Sequence, residues 1–446
     1  QYTNKQLADI KQQIEALRTQ LEQVQAQIRV TSPRYANLKY PQPLTLQQIQ
    51  STVLDDDTVL LEYSLGEERS YLWAVTKTNI TSYELPKRAD IEALAQSFYS
   101  QTGKQKLPER RGLGVTPRSD TTEVTSQLSQ MLLSPVAGQL GQKRLLIVSD
   151  GALQFLPFAA LPAPDTIGKD NNPVPLIVKH EIVNLPSAST LAVIRQDTNG
   201  RKPAPKTIAV LADPVFSSND ERVGAKPSVS LQSATPTDVN TLALTRAARE
   251  ISITFNRLPH TRTEANSILT LAPAAEQIQA LDFAANRATA TNPQLSQYRI
   301  VHFATHGILD SVNPELSGVV LSLFDEKGKP QNGFLRLNDI FNLNLPAELI
   351  VLSACETGLG QEVKGEGMIG LTRGFMYAGA PRVVVSLWSV DDQGTSELMS
   401  RFYKKMLQEG QKPATALRAA QIEMLQEQRW QDPYYWAAFT LQGDWR

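Results

Sequence analysis

Leu7, Ile10, Ile14, Leu17, Leu21, Val24 and Ile28 recur in steps of three and four, which predicts a Gln-rich helix with a heptad seam that ends at Thr31-Ser32-Pro33. Such a seam needs an apolar partner, either the body of the same chain, a second copy or a helical neighbour from elsewhere. Strand-like runs at 58–64 and 70–76, joined through Leu65-Gly66-Glu67-Glu68-Arg69, predict a β-hairpin. Helices are expected over 90–99 and 121–133, separated by a mobile loop of Lys, Arg, Gly and Pro over 103–120. A buried strand at 144–149 follows, then a weaker one at 181–185 that runs into a helix capped near Ser187.

From residue 207 onward the pattern becomes strand, loop, helix and strand again. Continuous apolar strands at 207–212, 299–304, 349–352 and 383–387 alternate with helices expected over 243–255, 263–271, 275–287, 366–377, 395–407 and 414–427. Strands that are apolar throughout and interleaved with helices belong to a parallel sheet covered on both faces. The Ser-, Pro-, Asp- and Thr-rich stretch 217–240 reads as a long surface loop or insert. The expected fold class is therefore α/β, with a helical arm over 1–30, an N-terminal α/β lobe over 35–199 and a second lobe over 200–446, the two lobes sharing one mostly parallel central sheet.

Composition narrows the function classes. Lys and Arg (44) balance Asp and Glu (45) in a chain of 446 residues, so no summed field favours nucleic acid or an anionic membrane surface, and neither is expected as a partner. The longest apolar runs, such as 382–388, are far shorter than the ~20 residues of a spanning helix. The opening Gln1-Tyr2-Thr3-Asn4-Lys5 has neither an initiator Met nor a secretion signal, which reads as a piece of a longer polypeptide. One cysteine allows no intrachain disulfide, which fits a reducing, cytoplasmic location and leaves Cys355 to be explained by packing or by reactivity.

Ligands of open parallel sheets bind at the carboxyl ends of the strands, where loops and helix N-termini converge. The strand ending in His302-Phe303-Ala304 delivers His306 and Gly307 there, and the strand ending in Leu352-Ser353-Ala354 delivers Cys355 at the same edge. An imidazole beside a thiol converts it to the nucleophilic thiolate and later protonates the leaving amine. The backbone N–H groups of Gly307 and Cys355 are the natural donors for the oxyanion. His302 reads as a hydrogen-bonded strand residue; two His and one Cys are too thin a set for zinc, and no metal or other cofactor is expected. His180 and His260 read as structural. Gly365-Glu366-Gly367-Met368-Ile369-Gly370 has glycines spaced like a dinucleotide loop, but it follows no first strand, so nucleotide binding is not expected.

His306 and Cys355 stand 49 positions apart, in line with the ~50-residue spacing of caspases. His-Phe-Ala-Thr-His-Gly (302–307), Leu-Ser-Ala-Cys-Glu-Thr-Gly (352–358), Gly-Glu-Gly-Met-Ile-Gly-Leu (365–371), Ser-Leu-Trp (386–388) and Tyr-Trp-Ala-Ala-Phe (435–439) resemble the CHAT family, with further likeness at 148–158, 185–189 and 261–265. CHAT domains are caspase- and separase-related modules of clan CD, often attached to tetratricopeptide repeats. The resemblance implies a caspase-like three-layer sandwich, with 35–199 as a pseudo-caspase lobe and 200–446 as the catalytic lobe. It implies a His306/Cys355 dyad, a thioester intermediate and a protein substrate. It also implies that residues 1–30 are the tail of a repeat region, through which a regulatory protein could act. Trp388, Asp391 and Asp392 resemble a separase segment whose acid receives a basic P1 side chain, with Asp392 at the matching position; against this, Ser353 stands where metacaspases carry an acid two residues before the nucleophile. The alternative for Asp391 or Asp392 is a cap on the following helix. The competing function is a caspase-like regulatory interaction module that cleaves rarely or never, and self-processing within 103–120 or 217–240 is a third reading.

Overall fold

The computed structural model describes residues 20, 42–103, 119–168, 173–224, 255–310, 317–353, 356–359, 366–388 and 390–446. The heptad seam, most of the expected loop over 103–120, all but the last residue of the helix expected over 243–255, and Cys355 itself lie outside the described residues. The strands are β1 Thr58–Ser64, β2 Ser70–Val75, β3 Ile80–Leu85, β4 Arg144–Val148, β5 Ile182–Leu185, β6 Lys206–Ala212, β7 Gln277–Leu281, β8 Tyr298–Ala304, β9 Gly307–Asp310, β10 Gly318–Val320, β11 Phe334–Arg336, β12 Leu349–Leu352, β13 Glu356–Leu359, β14 Arg382–Ser386 and β15 Phe439–Gly443. The longer helices are α1 Arg88–Gly103, α2 Ser119–Leu132, α3 Ala188–Thr198, α4 His260–Leu269, α5 Glu366–Ala378, α6 Asp392–Tyr403 and α7 Pro413–Gln426.

Eleven strands form one sheet in the order β3-β2-β1-β4-β5-β15-β14-β12-β8-β6-β7. Pairing is antiparallel only in the β1–β2–β3 hairpins and between β14 and β15; every other neighbour is parallel. The chain is thus a mixed α/β protein with a large, mostly parallel sheet, as the strand pattern predicts. Successive side chains of a strand point to opposite faces. In β8, His302 meets Tyr403 of α6 at 2.9 Å, while the adjacent Phe303 lies 5.8 Å, ring to ring, from Phe375 of α5. Helices therefore cover both faces, which is why β8 and β12 are apolar nearly throughout. One contiguous core runs from Val53 to Trp445 through both halves of the sheet.

The helix expected over 275–287 is overturned. Its first half is β7, flanked by short 3-10 turns, and it pairs with β6 from Ile208↔Gln277 to Ala212↔Leu281. The open edge of β6 supplies a complete backbone ladder, and this outweighs the helix preference of an Ala- and Gln-rich segment. A second sheet, β11-β10-β9-β13, stands at the carboxyl edge of β8 and β12 and has no counterpart among the sequence expectations. Among the described residues, no helix is long and apolar enough to cross a membrane.

Candidate functional site

His306 occupies the two-residue step between β8 and β9. Val320 donates its amide to the His306 carbonyl at 2.8 Å, and the Thr305 hydroxyl donates to the Val320 carbonyl, so the step is pinned to β10 on both sides of the side chain. The imidazole is almost fully buried, with the rings of Phe216 and Phe255 at centroid distances of 4.9 and 5.4 Å. Its Nε2 lies 2.7 Å from the backbone carbonyl of Asn256. A carbonyl only accepts, so Nε2 carries the proton and Nδ1 is the basic nitrogen of the neutral ring. This contact orients the ring with Nε2 as its donor.

Cys355 lies outside the described residues, but the strands flanking it are described. Before it, β12 pairs in parallel with β8 up to Leu352↔Phe303, and Ser353 donates its amide to the Phe303 carbonyl at 3.0 Å. After it, β13 pairs in parallel with β9 starting at Glu356↔Ile308. The ladders thus set Ser353 beside Phe303 and Glu356 beside Ile308, on either side of His306 along the chain. Gly307 opens β9 opposite Val319. The His306–Val320 hydrogen bond makes the next pair of this antiparallel ladder the non-bonded one, so the Gly307 N–H points away from β10.

The other site residues expected from the sequence fall at different places. Trp388 has no exposed surface and donates its indole N–H to the Tyr434 carbonyl at 3.3 Å, so it is a core residue and offers substrate no face. Asp391 is the N-cap of α6, accepting the Gly394 amide at 2.7 Å. Asp392 accepts the amide of His260 at 2.8 Å and so ties the start of α6 to the start of α4. Burial pushes the Asp392 carboxyl up to about 6, against the His260 hydrogen bond, which favours the charged form. His302 makes no approach to solvent: its Nδ1 meets the Tyr403 hydroxyl at 2.9 Å and its Nε2 lies 2.8 Å from a Glu264 oxygen, all three side chains fully buried. Burial, and then the Glu264 charge, raises the Tyr403 hydroxyl well above its usual range.

Sequence reasoning did not find Phe216, Phe255 or Asn256. The role of Asn256 is carried by its backbone, which residue identity does not report, and the two Phe residues stand 90 and 51 positions before His306 with no periodic relation to it.

A comparison with known proteins matches residues 122–444 to the model of the CHAT domain. The chain is 25% identical over 381 residues to tetratricopeptide repeat protein 28 of Homo sapiens and 34% identical over 105 residues to that of Mus musculus. These alignments cover 77% and 24% of the chain but only 14% and 4% of the two relatives, so the chain spans a small part of their length. Among solved structures, a crystal structure of the Saccharomyces cerevisiae separase–securin complex superposes with a TM-score of 0.52 at 11% identity, over 94% of this chain and 31% of that one. That likeness concerns the fold, which is caspase-like. With its matched segment covering well over half of its residues, the chain belongs to the CHAT domain family.

Proposed function

We propose that the chain is a cysteine endopeptidase that cleaves protein substrates through a His306/Cys355 dyad. The observation that carries this reading is the Asn256 carbonyl on His306 Nε2, which orients the imidazole at the carboxyl edge of the sheet and favours Nδ1 as the base. The paired ladders on either side of His306 and of the cysteine support it further. In the first step the Cys355 thiol gives its proton to His306 Nδ1, and the thiolate attacks the scissile carbonyl carbon. The oxyanion that forms takes hydrogen bonds from the Gly307 and Cys355 amides. The imidazolium then protonates the departing amine, leaving a thioester. Water, deprotonated by His306, hydrolyses the thioester and restores the thiol.

A basic P1 residue fits Asp392 by charge: its half-buried carboxylate has no ion-pair partner among the described residues, and a guanidinium would supply one. Its contact with the His260 amide also sets it four residues beyond the Asn256 carbonyl. A regulatory protein acting through residues 1–30, and a reducing cytoplasmic setting for the thiol, belong to the same proposal.

Fluorogenic peptides with Arg, Lys, Asp or Leu at P1 test it, together with Cys355→Ala. We expect cleavage after Arg or Lys that is abolished in the variant. Retained turnover in Cys355→Ala removes the peptidase reading, and faster cleavage after Leu removes Asp392 as the specificity residue. A Cys355 that reacts with iodoacetamide at neutral pH no faster than a free thiol favours the regulatory interaction module instead.

A further inference from the structure

Asp213 immediately follows β6. Its carboxylate is fully buried, and its backbone adopts φ +48°, a left-handed conformation that a non-glycine residue holds only when its surroundings over-determine it. The surroundings do so from every side. The Thr261 hydroxyl accepts the Asp213 amide at 3.1 Å, and Arg222 donates to the Asp213 carbonyl at 2.7 Å. Arg257 grips the carboxylate with Nε and Nη2, each at 2.9 Å, and Arg262 Nε adds a contact of 2.8 Å.

Both arms of this cluster lead to His306. Arg257 directly follows Asn256, whose carbonyl holds the imidazole, and Phe255 on the other side of Asn256 supplies one wall of the ring pocket. Phe216, the other wall, stands three residues beyond Asp213, past Val215, whose amide is tied to the Ser322 hydroxyl at 3.0 Å. The 255–257 segment and the 213–216 turn are therefore anchored on one carboxylate.

We propose that Asp213 is a positioning residue for His306: through its paired hydrogen bonds to Arg257 it fixes the Asn256 carbonyl and thereby the tautomer and aim of the catalytic imidazole. The importance of this tautomer to turnover rests on the peptidase reading above. A bidentate Arg–carboxylate pair is suited to this, because two parallel hydrogen bonds fix direction as well as distance.

The test uses nitrogen-15 histidine spectra of the whole chain, which has four histidines, with His306→Gln for assignment. In the unaltered protein at neutral pH we expect His306 protonated on Nε2 and bare on Nδ1. In Asp213→Asn, and in the milder Arg257→Lys, which keeps the charge but loses the fork, we expect a mixture of tautomers and about tenfold slower iodoacetamide alkylation of Cys355. Variants that only melt earlier, with tautomer and alkylation unchanged, would show a cluster that serves stability alone and would overturn the proposal. Peptide cleavage separates the two claims. A chain that cuts no peptide yet loses the tautomer in both variants sinks the peptidase reading and upholds Asp213, whereas equal cleavage and an unchanged ring in both variants sinks Asp213 and leaves the peptidase reading standing.

Discussion

At the exit of β4, Asp150 accepts the Leu65 amide at 2.8 Å and meets Arg88 at 3.2 Å, and at the exit of β5, Ser187 caps α3 through the Thr190 amide at 3.1 Å. At the exit of β8 in the other half of the sheet, the Asn256 carbonyl and two aromatic rings hold the His306 imidazole. Both halves contain parallel strands with helices between them. The first uses its strand-end polar groups to close turns and start helices, while the second holds an imidazole between two aromatic rings with its Nε2 on a backbone carbonyl. The same architecture thus has strand ends whose polar groups cap turns and helices and one whose imidazole is set in an aromatic pocket.

The sharpest test of this contrast substitutes one strand-end residue from each half. His306→Ala should lower Cys355 alkylation and peptide cleavage by about 10³-fold, within the range of a lost general base. Asp150→Ala should leave both rates within about twofold and lower stability by roughly 1 kcal/mol, since a hydrogen-bond acceptor and a partly exposed ion pair are lost. Comparable slowing in the two variants would erase the distinction.

Packing differs in the same direction. Trp388, fully enclosed after β14, should cost about 3–5 kcal/mol on replacement by Ala, as read by urea denaturation, because it leaves a cavity in the core. Trp73, half-exposed on β2 and stacked on Tyr71 at 5.8 Å, should cost only about 1–2 kcal/mol, since most of its lost contact is surface area. Similar losses at the two positions would show that Trp388 is less enclosed in solution.

Asp392 gives a pH-dependent prediction. The folded chain keeps its proton up to about pH 6, whereas an unfolded carboxylate releases it near the ordinary value of 3.8, so the folded state binds more protons across that window. Stability contributed at this site must therefore fall as pH rises from ~4 to ~6 and level off above. Asp392→Asn should remove this slope and stabilise the chain near neutrality by roughly 1 kcal/mol, after allowance for solvent screening of a half-exposed group. If the carboxylate receives a basic P1 residue, KM for Arg peptides should rise as pH falls through about 6; a flat KM would separate Asp392 from substrate. The smallest effect belongs to Arg299 and Glu348, paired twice at 3.1 Å on the amino side of β8 and β12. Arg299→Ala should cost about 0.5 kcal/mol or less, with unchanged alkylation of Cys355, and a rate effect there would mean that the two edges of the sheet communicate.

What the sequence revealed follows from the range of the forces involved. β6, β8, β12 and β14 are buried on both faces, so their side chains had to be apolar, and their runs mark them within a residue or two. β7 and β3 lie at the sheet edges, half-exposed, and carry Gln, Ser and Glu that no strand pattern requires; β7 was read as helix for that reason. The three- and four-residue strands β9, β10, β11 and β13 exist only through pairing with distant segments, which leaves little local mark. At the candidate site, the placement of His306 at the exit of β8 was legible because the apolar run before it marks the strand. Asn256 was not, because any residue but its neighbours' geometry could supply that carbonyl. The buried Asp213 had a faint signal, an acid and a proline directly after an apolar strand, but its three arginines come from positions 222, 257 and 262 and converge only in the fold.

Sixth of the eleven strands in spatial order, and so at the middle of the sheet, is β15, made of residues 439–443. A ribosome therefore completes both flanks of this sheet before it makes the strand that joins them. Until then the emerging polypeptide carries two unsatisfied edges, on β5 and on β14, each a template for pairing with a neighbouring nascent chain. Closure of the sheet needs a contact between residues 184 and 442, a long-range step of the slow kind.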